Sequence, residues 1–460
     1  MRSMANRIVA ILFISALTAS PLLANDGDKG KQPEGIKFKF LPLIAASSDD
    51  GLGLGIRLFL TNFDAEVAPY KWRAFAQYYK TSLGFEFHEL NLDMLRFFGT
   101  PFRVKFSGGL ERRLNSNWYG IGNTHDIRRI QRVQKGEIPI NENLPGVPDL
   151  LQVDDNVTVN RNCASNFPNC NLNSNLPRRV LRESQNKYYK YDYIAPFANI
   201  STEDFFGKSN FLWFVGFEGR RVRIQSYEGD TEAGNTTPNI KTLLDIQQPL
   251  GYNATEDPKF VNGIRLALGY DSRPRIRERN PNSGVYADFH VTSVSKATGA
   301  AYDFTRYTAT WRQYLEVISG FPELVFAYRL QLQETTGDVP FFEMGRIRSM
   351  NEEGIGIGGN RGVRGYPNNQ FVDRVFALTN FELRYSIKRW AAIGGIDLVL
   401  IGYYDVGRVA PTKKDLSLDG LHKAAGGGIR LVWGKDTVVN ITTGRSQYES
   451  NFNFSFGHMF

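Results

Sequence analysis

The sequence predicts an all-β fold, a sixteen-stranded antiparallel transmembrane β-barrel, and three observations carry that expectation. The chain ends in NFNFSFGHMF. Phe452, Phe454, Phe456, His458 and Phe460 fall on one face of that segment, and Asn453, Ser455, Gly457 and Met459 on the other. Alternation with period two, aromatic outward and small or polar inward, is the pattern of a lipid-facing strand. Beyond residue 25 no apolar run approaches the ~20 residues a membrane helix needs, which excludes a helical membrane protein. Finally, segments of strand character can be laid out along the whole chain, and the long connections between them fall on one parity only.

The elements follow in order. MRSMANR is basic, and residues 8–24 form a short apolar run ending at Ala24, so residues 1–24 read as a secretory signal peptide. The run is too short for an anchor, and a polar tail follows it at 25–35. The barrel is expected over 36–460. Its strands are expected at 36–47, 51–63, 70–82, 84–97, 101–113, 187–202, 209–226 and 260–272, then at 284–298, 302–318, 321–336, 375–389, 396–409, 424–433, 436–446 and 451–460. That count is even, as single-chain bacterial barrels require. Connections after even-numbered strands are the shorter set, and the long ones, 114–186, 227–259 and 337–374, all follow odd-numbered strands and are assigned to the extracellular side. The barrel and its loops use up the chain and leave no room for a soluble domain. Aromatic residues make up 13% of the chain, with 44 glycines, a mix that suits strands and turns. The net charge of +8 is scattered without a long basic run, so no nucleic-acid partner is expected.

Signs of catalysis or cofactor binding are few. Cys163 and Cys170, in CASNFPNC, are expected to form a disulfide that staples the loop 114–186. The five histidines lack metal-ligand spacing, HEL at 88–90 lacks the second histidine of a zinc protease helix, and no G-x-S-x-G occurs. GIGIGG at 354–359 fits G-x-G-x-x-G but lies inside a long loop, not between a strand and a helix. No cofactor, no metal and no enzyme activity are expected. On the strand at 375–389, Asn380, Glu382 and Arg384 alternate with Phe381, Leu383 and Tyr385, so the first set must face the lumen. On the strand at 396–409, Asp405 and Gly407 share a face with Tyr403 and Val399, opposite Leu398, Leu400 and Tyr404, which points Asp405 inward.

The stretch GGNRGVRGY (358–366) falls in the loop between the eleventh and twelfth expected strands. Its RGVRGY resembles the V-R-G-[FY] signature on the sixth extracellular loop of the BamA/TamA-type barrels, the bacterial surface antigen family. NFELRY (380–385), YYDVG (403–407), GYDSRPRIRERNPNSG (269–284) and NWYGIGN (117–123) are similar to further stretches of that family, and the terminal Phe460 resembles the end signal of outer-membrane barrels. The resemblance covers essentially the whole mature chain. It implies an integral barrel of the bacterial outer membrane whose loop folds into the lumen, with Arg364 paired to Asp405 and Glu382 as a second acceptor. Arg361, Gly362, Val363, Arg364, Gly365 and Tyr366 would then form the loop motif, with Gly362 and Gly365 allowing a sharp turn close to the wall. Tyr366 would pack on that wall, beside Asp405, Gly407, Glu382 and Arg384.

Most of that family carry periplasmic POTRA domains that receive client proteins. The short tail at 25–35 implies a short member lacking them, so the family's insertion or secretion role transfers poorly. Lipid or envelope transport becomes the expectation, with outer-membrane lipids and the barrel assembly machinery as partners, alone or with a periplasmic partner or self-association. A passive pore and a surface-interaction barrel are the alternatives. In a barrel the first strand meets the last. Pro42 cannot donate to that ladder and Gly457 weakens the closing strand, so Pro42, Gly457 and Phe460 mark a seam that is either a gate or a plain bulge.

Overall fold

In the computed structural model the described residues are 34–64, 67, 69–100, 102–123, 130, 187–227, 242–252, 257–274, 280–350, 353–390, 396–433 and 437–456. The expected signal peptide, Cys163 and Cys170, and Gly457 and Phe460 lie outside them. The strands are β1 (Gly35–Ser47), β2 (Gly51–Phe63), β3 (Trp72–Thr81), β4 (Phe85–Met94), β5 (Arg103–Asn117), β6 (Lys190–Phe205), β7 (Phe211–Ser226), β8 (Lys259–Asp271) and β9 (Gly284–Val294). They continue with β10 (Phe304–Ile318), β11 (Phe321–Gly337), β12 (Arg346–Arg348), β13 (Glu353–Ile355), β14 (Val375–Trp390), β15 (Ile396–Ala410), β16 (His422–Trp433), β17 (Thr437–Ser446) and β18 (Ser450–Phe456). All but β12 and β13 form one closed barrel of sixteen antiparallel strands in sequence order, β11 pairing directly with β14. The short β12–β13 hairpin and the helical turn Phe341–Met344 lie in the connection read from sequence as plain loop. They are too short for any periodicity to register.

Lipid offers the backbone no hydrogen bonds, so a sheet can cross it only when closed on itself. Among the described residues no helix is long and apolar enough to cross a membrane; the crossing is made by strands. The side chains are sorted inside out relative to a soluble protein. On β10, Arg306, Thr308, Thr310 and Arg312 are buried, whereas the intervening Tyr307 and Trp311 are exposed. On β8, Ile264, Leu266 and Leu268 are exposed and flank the inward Arg265. Charged residues buried on one face and bare leucines on the other place lipid outside and a polar lumen within.

The three long connections, β5–β6, β7–β8 and β11–β14, share one end of the barrel. Trp118, Tyr188, Tyr191, Leu244, Phe341 and Phe342 pack there into one apolar cluster. Trp118 meets Phe341 edge-on at 4.9 Å and donates from Nε1 to Gln247 Oε1 at 3.0 Å. Residues from three connections thus cover part of the mouth.

An outward arginine should be costly and an inward polar change cheap. Leu266→Arg, midway along β8, is expected to lower the stability of the barrel refolded into vesicles by about 2–4 kcal/mol, read by denaturant titration.

Candidate functional site at the inner loop and the seam

The segment from Ile357 to Asp373 lies against inward-facing side chains of β14 to β17. Ile357, Val363, Tyr366 and Phe371 pack into a buried cluster with Phe376, Leu378, Val409 and Ala424. Tyr366 meets Phe371 edge-on at 5.4 Å, and Phe371 stacks on His422 at 3.5 Å. Positive φ occurs in this segment at Gly358 (136°), Gly359 (69°) and Asn369 (57°), a region that favours glycine and that asparagine also tolerates. Gly362 and Gly365 have no positive φ; their lack of a side chain serves close approach. A Cβ on Gly365 would crowd Ala424 and the backbone of Ser446, and a Cβ on Gly407 would crowd Val363 and Ile357. Opposite them, a Cβ on Gly444 of β17 would overlap the carbonyl of Arg364.

That approach delivers Arg364 to β14 and β15. Its Nε donates to Asp405 Oδ2 at 2.7 Å and its Nη2 to Asp405 Oδ1 at 2.8 Å, a bidentate pair, while its backbone N–H donates to Oδ2 at 3.0 Å. Its Nη1 donates to Glu382 Oε1 at 2.6 Å, and its guanidinium lies 3.4 Å from the centre of the Tyr403 ring. Asp405 and Glu382 are fully covered. Burial works against the charge on Arg364, and the Asp405 and Glu382 carboxylates more than offset it, holding its pKa above the ordinary value. Arg384 Nε donates to Glu382 Oε2 at 2.8 Å, and Arg430 reaches the same oxygen at 3.4 Å. Asn380 Nδ2 donates to Asp405 Oδ1 and to the carbonyl of Gly362, and Arg329 Nη2 donates to the carbonyl of Arg361 at 2.5 Å. Arg361 itself points away and donates to the carbonyl of Glu353 at 2.6 Å.

A second ionic network holds the earlier part of the same connection against other walls. Glu343 lies 2.8 Å from Arg220 on β7 and 3.1 Å from Arg306 on β10. Arg346 donates to Glu111 on β5 at 2.7 Å, and Arg348 lies 3.2 Å from Glu218 on β7. Burial alone would raise the pKa of Glu343, but the surrounding arginines bring it down to about 2. Sequence reading missed these residues because their partners come from strands far apart in the chain. The available signal was charge on the inward parity of a strand, as at Glu218 and Arg220.

At the seam, β1 pairs with β2 along its whole length but with β18 only at Ala46–Phe454 and Ser47–Asn453 among the described residues. Ser48 N–H donates to the Phe452 carbonyl at 3.1 Å. In an antiparallel ladder backbone groups alternate sides, so the even-numbered positions of β1, Pro42 included, direct theirs toward β18. Pro42 presents no donor there. The loop reaches this corner: Asn451 Nδ2 donates to the Tyr366 carbonyl at 3.3 Å, and Asn360 Nδ2 to Asn453 Oδ1 at 3.3 Å.

A closed sixteen-stranded barrel with an apolar exterior and an ion-paired interior is an integral barrel of the bacterial outer membrane. More narrowly, it has the fold of the BamA and CdiB barrels. The solved BamA from Haemophilus ducreyi lacking POTRA domains 1–3 superposes with a TM-score of 0.52 at 11% identity, over 92% of this chain and 70% of that one. CdiB from Escherichia coli gives a TM-score of 0.52 at 9% identity, over 91% of this chain and 62% of that one. No protein-family model and no curated protein sequence match the chain.

Removing one partner of a buried charge pair leaves the other uncompensated. Arg364→Ala and Asp405→Ala are each expected to cost about 3–5 kcal/mol, with the double mutant well short of the sum in a thermal-melt cycle. Strict additivity would exclude the contact. Gly444→Ala, which changes no charge, should mimic Arg364→Ala by displacing the loop.

Proposed function

We propose that this outer-membrane barrel acts in membrane biogenesis or transport, moving protein or lipid through its lumen or across the seam between β1 and β18. The observation that most supports this reading is one corner of the barrel. There the described β1–β18 pairing is confined to two positions, and the loop held by Arg364 touches β18 beside them. A wall that parts needs few ladder bonds to break, and a loop bonded to both walls can report or bias the parting. The resemblance of RGVRGY and YYDVG to the BamA/TamA-type motifs supports the same class of role. Outer-membrane lipids, the barrel assembly machinery and a periplasmic partner or second copy belong to this proposal.

A passive pore is the competing outcome. The proposal expects only small or brief conductance in planar bilayers, because the inner loop and its two ionic networks occupy the lumen. Arg364→Ala should increase the open time. Large, steady conductance in the unmodified barrel would establish the pore instead. A deletion strain assayed together for outer-membrane protein levels and lipid asymmetry then separates protein from lipid as cargo, and loss of neither would reject a biogenesis role.

A further inference from the structure

The turn between β1 and β2 places Asp49 where three elements meet. Its own turn carries Asp50 beside it. The inner loop sends the backbone N–H of Asn368 to Asp49 Oδ2 at 3.1 Å. From the β17–β18 side come Asn451, whose Nδ2 donates to the Tyr366 carbonyl at 3.3 Å, and the like charge of Glu449. A cavity of about 160 Å³ lies between these elements, lined by Asp49, Asp50, Tyr79, Arg364, Asn360 and Asn451. Arg113 of β5 lies 3.9 Å from Asp50, but its Nε already donates to Glu111 at 2.8 Å. Arg364 also lines the cavity, but its guanidinium is committed to Asp405 and Glu382. The two described pairings of the seam, Ala46–Phe454 and Ser47–Asn453, adjoin this turn directly.

We propose that Asp49 is a pH-sensitive wedge at the seam: neutral, it lets the β1–β2 turn, the inner loop and β18 close on one another, and ionised, it drives the β1–β18 junction apart. The charge would arise in a half-buried position between Asp50 and Glu449, where among the described residues the hydrogen bond to Asp49 comes from the Asn368 backbone N–H. Burial first, then the Asp50 and Glu449 charges, raise the carboxyl from its ordinary 3.8 to about 7, against the Asn368 hydrogen bond and the Asn451 side chain. The sign follows from linkage. A group whose pKa is raised in the folded arrangement binds its proton more tightly there. Its contribution to the closed corner is therefore complete below pH about 4 and is lost as pH rises through about 7. Because this turn lies at the end that carries the long connections, the wedge reads the pH on that side of the membrane.

The test reads the seam itself and not transport, so it can fail while the proposed function stands, and the reverse. Spin labels go on the exposed outward positions Leu54 of β2 and Phe452 of β18, which straddle the junction, with Cys163 and Cys170 replaced by serine. Distance distributions are recorded in vesicles across a pH series on either side of about 7. The expected result is a narrow distribution at acid pH that broadens and lengthens on the alkaline side, with a midpoint near 7. Asp49→Asn should hold the narrow distribution at every pH, and Glu449→Gln should move the midpoint down. The idea is overturned if the original barrel shows no transition, if Asp49→Asn keeps it, or if Glu449→Gln leaves the midpoint in place.

Discussion

Everything in this molecule follows from the inability of lipid to hydrogen-bond a peptide group. Each strand must satisfy its backbone on both sides, so the sheet has to close. Closure then creates a second problem. The inward faces of sixteen strands enclose a lumen that cannot be covered with leucine alone, because those faces carry arginines, glutamates and asparagines. The chain fills that space with its own β11–β14 connection and pairs its inward carboxylates with arginines.

The filling is electrostatic in logic and steric in execution. In the network around Asp405, four guanidiniums, those of Arg329, Arg364, Arg384 and Arg430, surround only two carboxylates, and Glu382 is shared by three of them. Such buried groups contribute more to defining position than to stability, since desolvation consumes much of the attraction. Register is what the arrangement gains: a bidentate Arg–carboxylate contact admits one orientation. The glycines of the wall set how near the loop can come, and the side chains of Tyr366, Phe371 and Tyr403 fix its tilt.

Much of this was legible beforehand. Period-two patterning placed the sixteen barrel strands within a few residues, because each strand sees lipid on one side and the patterning is enforced along its whole length. The parity of connection lengths fixed which end carries the long ones. The inward direction of Asp405 and Glu382 followed from the same alternation. The β12–β13 hairpin, the Glu343 network and the role of Gly444 were not legible. Each depends on groups brought together only once the cylinder is shut, at separations in sequence where no local pattern survives. The glycines illustrate the limit: the sequence marked a glycine-rich loop, but only the folded structure shows that Gly358 and Gly359 combine positive φ with close approach while Gly362 and Gly365 serve close approach alone.

The order of residues along the chain gives the β11–β14 connection a second role. The inner loop precedes β15, β16 and β17, yet it packs against all three from within, with the Arg364 backbone pressed on Gly444. The earlier part of the same connection is held by Glu111, Glu218, Arg220 and Arg306, so the connection is bonded to strands on both sides of it in the sequence. The connection thus braces the cylinder from within, joining strands far apart in the chain across the space they enclose.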